Sequence, residues 1–264
     1  MPFLPLGDDN QRRYIATPWV TWGLMFACFV IFIYQEGLDG LAYGEFIYGV
    51  GLIPGVLLGE AEMAPQLWHL PAPVTLLSYQ FLHGGWDHLL GNMLFLWIFG
   101  DNVEDAMGHR RFLVFYLLGG VAAGLAHALL DPGSAVPLIG ASGAISAVLG
   151  AYLLLHPFSR IVVLVVLLPL RLPAWVLLVV WFGFQFVALN DAADDGVAWV
   201  AHIAGFLAGA AGVALFKHRD ARLWQREPPV RVIAVGRFRR RPRSAPSGGQ
   251  ASREERRGGP GPWG

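Results

Sequence analysis

A serine and a histidine in this chain have the types and the neighbours that nucleophilic hydrolysis needs. Ser142 stands in a Gly-Ala-Ser-Gly segment, and His202 stands in an Ala-His-Ile-Ala-Gly segment. A serine hydroxyl attacks a carbonyl carbon efficiently only when a neighbouring base takes its proton. A neutral imidazole titrates near physiological pH and suits that task. The pair therefore predicts acyl transfer to Ser142, with His202 as the general base.

A hydrolase of this kind also needs hydrogen-bond donors for the oxyanion of its tetrahedral intermediate. His88 and Asn92 are four residues apart, so their side chains share one face of a helix. The first N–H groups of a helix lack intrahelical partners, and loss of one oxyanion donor typically costs about 3–4 kcal/mol. We therefore predict an oxyanion site from Asn92, His88 and the backbone N–H of Ser142. Gly140 and Gly143 complete that site by keeping the approach to the hydroxyl open.

Small residues follow both segments at helical spacing. They are Ser146 and Gly150 after Ser142, and Gly205, Gly209 and Gly212 after His202. Faces of small residues allow two membrane helices to approach closely. We therefore expect the two helices to pack together, with the serine hydroxyl within reach of the imidazole. No aspartate or glutamate lies in an apolar stretch at the depth of His202, so the sequence favours a dyad over a triad.

The elements that position these groups are six apolar stretches, each close to the length of a membrane-spanning helix. Hydrophobic residues make up 55% of the 264 residues and charged residues only 14%, whereas soluble domains average about a quarter charged. The stretches run approximately over Pro18–Tyr34, His88–Val103, Phe112–Leu130, Ser142–Leu155, Pro173–Leu189 and Val197–Phe216. The sequence therefore predicts an all-α membrane protein, a bundle of six transmembrane helices. Cys28 is the one cysteine, which excludes an intrachain disulfide and a cysteine-rich metal site.

Lysine and arginine are confined to one side of this bundle. They precede the first stretch, lie between the second and third and between the fourth and fifth, or follow the sixth. The other three connections carry acidic residues but no lysine or arginine. The positive-inside rule then places both termini in the cytoplasm and the candidate site in the outer half of the bilayer. Basic internal connections without a transit peptide lead us to expect a bacterial plasma membrane.

The chain divides into three parts by composition. Residues 1–17 form a cytoplasmic N-terminal segment, residues 18–217 the six-helix domain, and residues 218–264 a basic tail. The tail is rich in arginine, proline, glycine and serine and cannot bury a core, so it is predicted to be disordered. We expect it to contact anionic lipid rather than a specific nucleic acid.

Two connections within the domain are unusual. Gly37–Gly85 is long for a loop, and we expect it to be a structured outer loop with Trp68, Tyr79 and Trp86 at the membrane interface. Ile161–Leu170 is apolar, but prolines separate it from the fifth stretch, so it is predicted to be an interfacial connection.

Each of these polar groups also has a purely structural explanation. A lone serine in a membrane helix usually bonds its own helix, and a lone histidine often packs between helices. His83 is expected to form structural hydrogen bonds in the first loop, and Glu104 to tie backbone segments together.

The chain lacks HExxH and GxGD motifs, which disfavours metallo- and aspartyl intramembrane proteases, and no metal or other cofactor is expected. A helix-binding protein without catalytic activity and a transporter remain alternatives.

Together these motifs resemble those of the rhomboid family of intramembrane serine proteases. Gly140–Gly143 matches its GxSG nucleophile motif, Ala201–Gly209 its AHxxGxxxG helix, and His88–Asn92 its HxxxN oxyanion motif. Gly100–Gly108 resembles its GxxxExxxG segment, and the similarity runs over about Trp19–Leu215. The resemblance implies a six-helix fold with a water-filled cavity that opens outward. It also implies transmembrane protein substrates, single membrane helices that are unwound near the cleaved bond.

The chain departs from the family pattern at two places. Some members carry an aromatic residue four positions after the serine that stacks on the catalytic histidine, whereas this chain has Ser146. Some carry a Trp-Arg pair in the first loop, but no arginine occurs between Arg13 and Arg110. Another element must therefore position His202. By analogy with the family, the fifth helix and the Asp191–Gly196 loop would gate substrate access.

Overall fold

The structure, a computed structural model, describes residues 3–65, 67, 70–165, 168–190 and 197–225. All of these residues belong to one unit, Met1–Glu227. Three regions on which sequence predictions fall lie outside the described residues: Trp68, the Asp191–Gly196 loop and the tail beyond Gln225.

Helices dominate the described part of the chain. They are α1 (Trp19–Glu36), α2 (Gly40–Val50), α3 (Pro54–Leu58), α4 (Ala72–Ser78), α5 (Trp86–Met107), α6 (His109–Leu130), α7 (Ser142–Leu155), α8 (Ala174–Asn190) and α9 (Trp199–Phe216). The strands are β1 (Phe3–Asp8), β2 (Arg160–Val165) and β3 (Leu168–Pro173). The long helices α1 and α5 to α9 coincide with the six predicted stretches, so the prediction of a mostly helical protein is confirmed.

The long helices differ in how well each suits a bilayer. Among the described residues, α1, α6 and α9 are long and apolar enough to cross a membrane, and α7 and α8 are shorter apolar helices. Helix α5 is 22 residues long but carries Asp87, Asp101, Glu104 and Asp105. These helices are those of a multi-pass membrane protein, and the number of six spans stays a prediction.

Helix α7 packs against its neighbours along nearly its whole length and is almost entirely buried. Its backbone touches that of α9, because a β-carbon at Gly205 would overlap the carbonyl oxygen of Gly143. One at Gly209 would likewise overlap the carbonyl oxygen of Ala147, and Gly150 packs against the α9 backbone in the same way. Contact this close requires residues without a side chain, so the glycines determine how α7 and α9 pack.

A small antiparallel sheet lies at the end of the bundle where α5 and α7 finish, which we name the sheet end. The strand order is β1-β2-β3, with Leu4 opposite Leu164 and Val163 opposite Leu170. The segment predicted to be an interfacial connection therefore forms two strands, one of which pairs with the N-terminal segment. Pro169 is tolerated because β3 is an edge strand, where a missing N–H breaks no ladder.

Asp8 joins the sheet to the helices. Its Oδ2 accepts hydrogen bonds from the Tyr152 hydroxyl on α7 and from Asn102 Nδ2 on α5, both at 2.7 Å. Burial raises the pKa of Asp8 to about 7, and the hydrogen bond from Tyr152 opposes that rise. The first strand is thus held at the sheet end by a carboxyl group that titrates near neutral pH.

Two carboxylates at the end of α5 bind backbone N–H groups of the first turn of α1 and of the N-terminal segment. Glu104 is fully buried and accepts from the N–H groups of Val20 and Thr21 at 3.0 and 2.8 Å, and from the Thr21 hydroxyl at 2.6 Å. Asp105 accepts three further N–H groups, those of residues 13–15, at 2.7–2.8 Å. Pro18 precedes α1, and its side chain accepts no hydrogen bond from the first N–H groups of that helix. Glu104 on α5 therefore provides the cap of α1.

The first loop contains helices α2, α3 and α4 and is tied to the α6–α7 connection. Leu52 and Leu138 exchange two backbone hydrogen bonds of 3.1 and 2.7 Å.

Trp86 is 46% exposed, but Tyr79 is only 1% exposed and donates its hydroxyl to the Gly120 carbonyl oxygen at 2.7 Å. The prediction that Tyr79 lies at the membrane interface is therefore wrong; its hydroxyl bonds α6 inside the bundle.

Candidate active site

Ser142 is the first residue of α7, at the end of the bundle opposite the sheet, which we name the serine end. It is half-buried and follows Gly140, whose φ of +125° is unfavourable for residues with a side chain. A β-carbon at Gly140 would also clash with His88, because it would lie 2.7 Å from Nε2. The Gly140 N–H donates to the Tyr79 carbonyl oxygen at 2.9 Å. Gly140 therefore shapes the turn and contributes no free donor to an oxyanion.

His202 lies in the first turn of α9 and is 7% exposed. Gly205, one turn further on, packs against Gly143, the neighbour of Ser142. Gly143 also lies near the backbone carbonyl oxygen of Ala201, the residue before His202. The two backbone contacts bring together the starts of α7 and α9, the helices that carry Ser142 and His202.

His88 is close to Ser142. Both side chains lie beside Gly140. A β-carbon placed on Gly140 would be 2.7 Å from His88 Nε2 and 3.7 Å from Ser142 Oγ. The N–H of Gly84 donates to His88 Nδ1 at 3.4 Å, a long hydrogen bond that favours the neutral form with the ring proton on Nε2. A donor N–H of His88 is therefore available beside the serine.

Asn92 follows His88 by one turn on α5 and is 9% exposed. Its Nδ2 is buried and has no hydrogen-bond partner among the described residues. A buried unpaired donor costs about 1–3 kcal/mol, and a bound group that accepts from it would recover that cost. Asn92 Nδ2 is therefore a donor with unused hydrogen-bonding capacity, one turn from His88.

His83 makes its hydrogen bonds through its backbone rather than its ring. Gln35 exchanges two bonds with the His83 peptide, of 2.9 and 3.2 Å. Both ring nitrogens are buried without a partner among the described residues, and the ring packs edge-on against His88 at 5.1 Å. Burial lowers the pKa of His83 to about 3, so the ring is neutral and helps to position His88 by packing alone.

Two α8 residues that sequence reasoning missed hold the ring of His202. Gln185 Oε1 lies 2.9 Å from His202 Nδ1, and the indole of Trp181 lies 6.2 Å from the imidazole, centroid to centroid. Trp199 packs edge-on against the ring at 5.8 Å. Ser146, four positions after the serine, donates its hydroxyl to the Ser142 carbonyl oxygen at 2.7 Å and provides no ring to pack on His202. A polar side chain inside an apolar stretch was the available signal for Gln185.

The described residues contain no group of three or more histidine, cysteine, aspartate and glutamate side chains that could hold a metal ion. The candidate groups at the serine end are the Ser142 hydroxyl, the imidazoles of His88 and His202, and the Asn92 carboxamide.

Comparison with known proteins identifies relatives. The family model of the Rhomboid domain matches residues 65–219. The chain is 28% identical to Rhomboid-related protein 1 of Caenorhabditis elegans over 193 residues, which is 68% of this chain and 50% of that protein. It is 29% identical to Rhomboid protease GluP of Bacillus subtilis over 212 residues, 78% of this chain and 38% of that protein. The chain thus spans half or less of the length of these two relatives.

Proposed function

We propose that this chain, which belongs to the rhomboid family, is an intramembrane serine endopeptidase that uses a dyad of Ser142 and His202. The observation that carries the proposal is the backbone contact between Gly143 and Gly205, which joins the two helix starts that bear the hydroxyl and the imidazole. The Rhomboid domain and the protease among the relatives support a hydrolase.

The reaction follows the usual course of a serine hydrolase. His202 Nε2 takes the proton of Ser142 Oγ while the oxygen attacks the carbonyl carbon of the scissile peptide bond. The C–N bond then breaks, and the amine leaves with the proton that His202 carried. A water molecule, deprotonated by the same imidazole, hydrolyses the acyl-enzyme and regenerates the serine.

The oxyanion of each tetrahedral intermediate needs donors that are already in place. We assign this role to Asn92 Nδ2, His88 Nε2 and the backbone N–H of Ser142. Asn92 Nδ2, which has no hydrogen-bond partner among the described residues, and the Gly84 hydrogen bond to His88 Nδ1 support the assignment. Donors held ready in a site shielded from water stabilise developing charge more strongly than solvent does.

The substrates we propose are single-span membrane proteins, cleaved in or near the outer half of the bilayer. A peptide bond inside a helix has its C=O and N–H engaged, so a substrate must unwind locally before Ser142 can reach it. Both termini would lie in the cytoplasm of a bacterial cell, with the basic tail against anionic lipid and no specific nucleic acid as partner.

The proposal is tested with the full chain in detergent or in liposomes. We expect a fluorophosphonate probe to label the wild type and not Ser142→Ala, and His202→Ala to abolish cleavage of a model transmembrane substrate. A folded wild type that neither reacts with the probe nor cleaves any of several substrates would favour a helix-binding protein or a transporter instead.

A further inference from the structure

The side chain of Gln185 makes two hydrogen bonds that define which way its amide faces. It is fully buried between α8 and α9. Its Nε2 donates to the backbone carbonyl oxygen of Trp181, one turn earlier on α8, at 2.9 Å. Its Oε1 lies 2.9 Å from His202 Nδ1.

These partners determine where the proton of a neutral His202 sits. A backbone carbonyl can only accept, so the amide nitrogen of Gln185 must face Trp181 and the amide oxygen must face the imidazole. An amide oxygen also only accepts, so Nδ1 of His202 must be the ring nitrogen that bears hydrogen. Nε2 is then left with its lone pair free.

We propose that Gln185 is a positioning residue that holds His202 in the tautomer required of a general base. The inference rests on the proposed function, because only a base that acts through Nε2 makes use of this tautomer. In serine hydrolases with a triad, a carboxylate performs this task. An ionised carboxylate buried at membrane depth would be costly, whereas a neutral amide gives the same orientation without a buried charge.

Gln185 and Trp181 act on the imidazole from one face of α8. The indole of Trp181 packs beside the ring, and its backbone carbonyl oxygen orients the Gln185 amide. Trp199 covers another side of the ring. The imidazole therefore has one hydrogen bond and two aromatic neighbours, which restrict its rotation in the absence of a ring at Ser146.

The competing explanation is that Gln185 is only a hydrogen bond between two membrane helices. Such bonds contribute little on average, and their loss would lower stability slightly without changing the proton on the histidine. The tautomer of His202 therefore separates the two explanations, and it can be read without any measurement of activity.

The first experiment is ¹⁵N NMR of the imidazole nitrogens of wild-type protein in detergent, above the pH at which histidines protonate. The His202 signals are assigned by their absence from a His202→Gln variant. We expect protonated Nδ1 and unprotonated Nε2. Protonated Nε2 on His202 in the folded wild type would overturn the proposal, and this result does not depend on whether a substrate has been found.

The second experiment compares Gln185→Met, which keeps the length and loses the acceptor, with Gln185→Glu. The neutral form of that carboxyl keeps an acceptor oxygen towards His202 and a donor towards the Trp181 carbonyl oxygen. We expect about a 10²-fold lower kcat for the methionine variant with KM within about 2-fold, and recovery of most of kcat by the glutamate variant. The control is Val114→Met on the exposed face of α6, outside the helix expected to gate substrate access, and it should behave as wild type.

Equal kcat for Gln185→Met and wild type, or equal losses in the methionine and glutamate variants, would contradict a positioning role. If wild type shows the expected tautomer but no hydrolysis, the proposed function fails while the orientation of His202 by Gln185 stands.

Discussion

Gly205 of α9 lies against the backbone carbonyl of Gly143 of α7, one residue from the serine and three from the histidine of the candidate dyad. No side chain separates the two helices at this point. The spacing of the two helix starts that carry Ser142 and His202 is therefore set by two backbones in contact rather than by flexible side chains.

The first prediction concerns this contact. Gly205→Ala places a methyl group against the Gly143 carbonyl oxygen and pushes the two helices apart. We expect a loss of about 1–3 kcal/mol in the free energy of unfolding and a larger relative loss of cleavage, measured by thermal unfolding and by substrate turnover. Gly212→Ala on the same helix is the matched control, since its β-carbon would make only an ordinary contact with Phe115 at 3.6 Å. Equal activity of the two variants would contradict the argument.

The second prediction concerns the unpaired carboxamide. Asn92→Leu keeps the volume and removes the buried donor that has no partner among the described residues. We expect kcat to fall about 10²- to 10³-fold while the melting temperature stays the same or rises, because an unsatisfied polar group is removed. Turnover and thermal unfolding should be measured on the same preparation. A variant with unchanged kcat would remove Asn92 from the oxyanion site.

The third prediction concerns pH at the sheet end. The pKa of Asp8 is about 7 in the folded chain and near 3.8 when unfolded, so the folded state binds the proton more tightly. The contribution of Asp8 to stability is therefore fully present below about pH 4, is lost as pH rises towards 7, and stays lost above it.

We expect hydrogen exchange of the β1 amides, corrected for intrinsic rates, to show less protection at pH 8 than at pH 6. Asp8→Asn should remove most of this difference, whereas Glu45→Gln, an exposed change, should leave it intact. Protection of β1 that is equal at both pH values in the wild type would show that the Asp8 carboxyl does not govern the docking of this strand.

The fourth prediction concerns the cap that α5 supplies to α1. Glu104→Ala leaves the N–H groups of Val20 and Thr21 and the Thr21 hydroxyl without their acceptor in a buried place. We expect a loss of about 2–3 kcal/mol in the free energy of unfolding.

Arg12→Ala is the matched control for this cap. It breaks a more exposed ion pair of 2.6 Å with Asp101 and should cost less than about 1 kcal/mol. Thermal unfolding of both variants gives the comparison, and similar losses in the two would argue against the capping role.

The positions of most long helices could be predicted from the sequence. A membrane helix needs an apolar run of a certain length, and the polar residues on either side of that run mark where it begins and ends. The bounds predicted for the helix that carries the serine, Ser142–Leu155, are those observed. The second stretch, predicted to end at Val103, continues to Met107, because Glu104 and Asp105 find N–H partners and do not end the helix.

The rotation of each helix about its axis could not be predicted. In a membrane both the lipid-facing and the packed sides of a helix are apolar, so hydrophobic periodicity does not tell them apart. The pairing of Gln185 with His202 depends on such a rotation and appears only in the structure. The pairing of β1 with β2 joins segments far apart in the chain, and no local pattern in either segment indicates it.

The N-terminal strand covers one edge of β2, and this has a practical consequence for anyone who handles the protein. Trimming Phe3–Asp8, or fusing a rigid partner directly to it, would uncover a row of backbone donors and acceptors on Arg160–Val165. Such an open edge pairs readily with a strand from another molecule. Preparations shortened at this end should therefore self-associate, and a tag placed there should be joined through a flexible spacer.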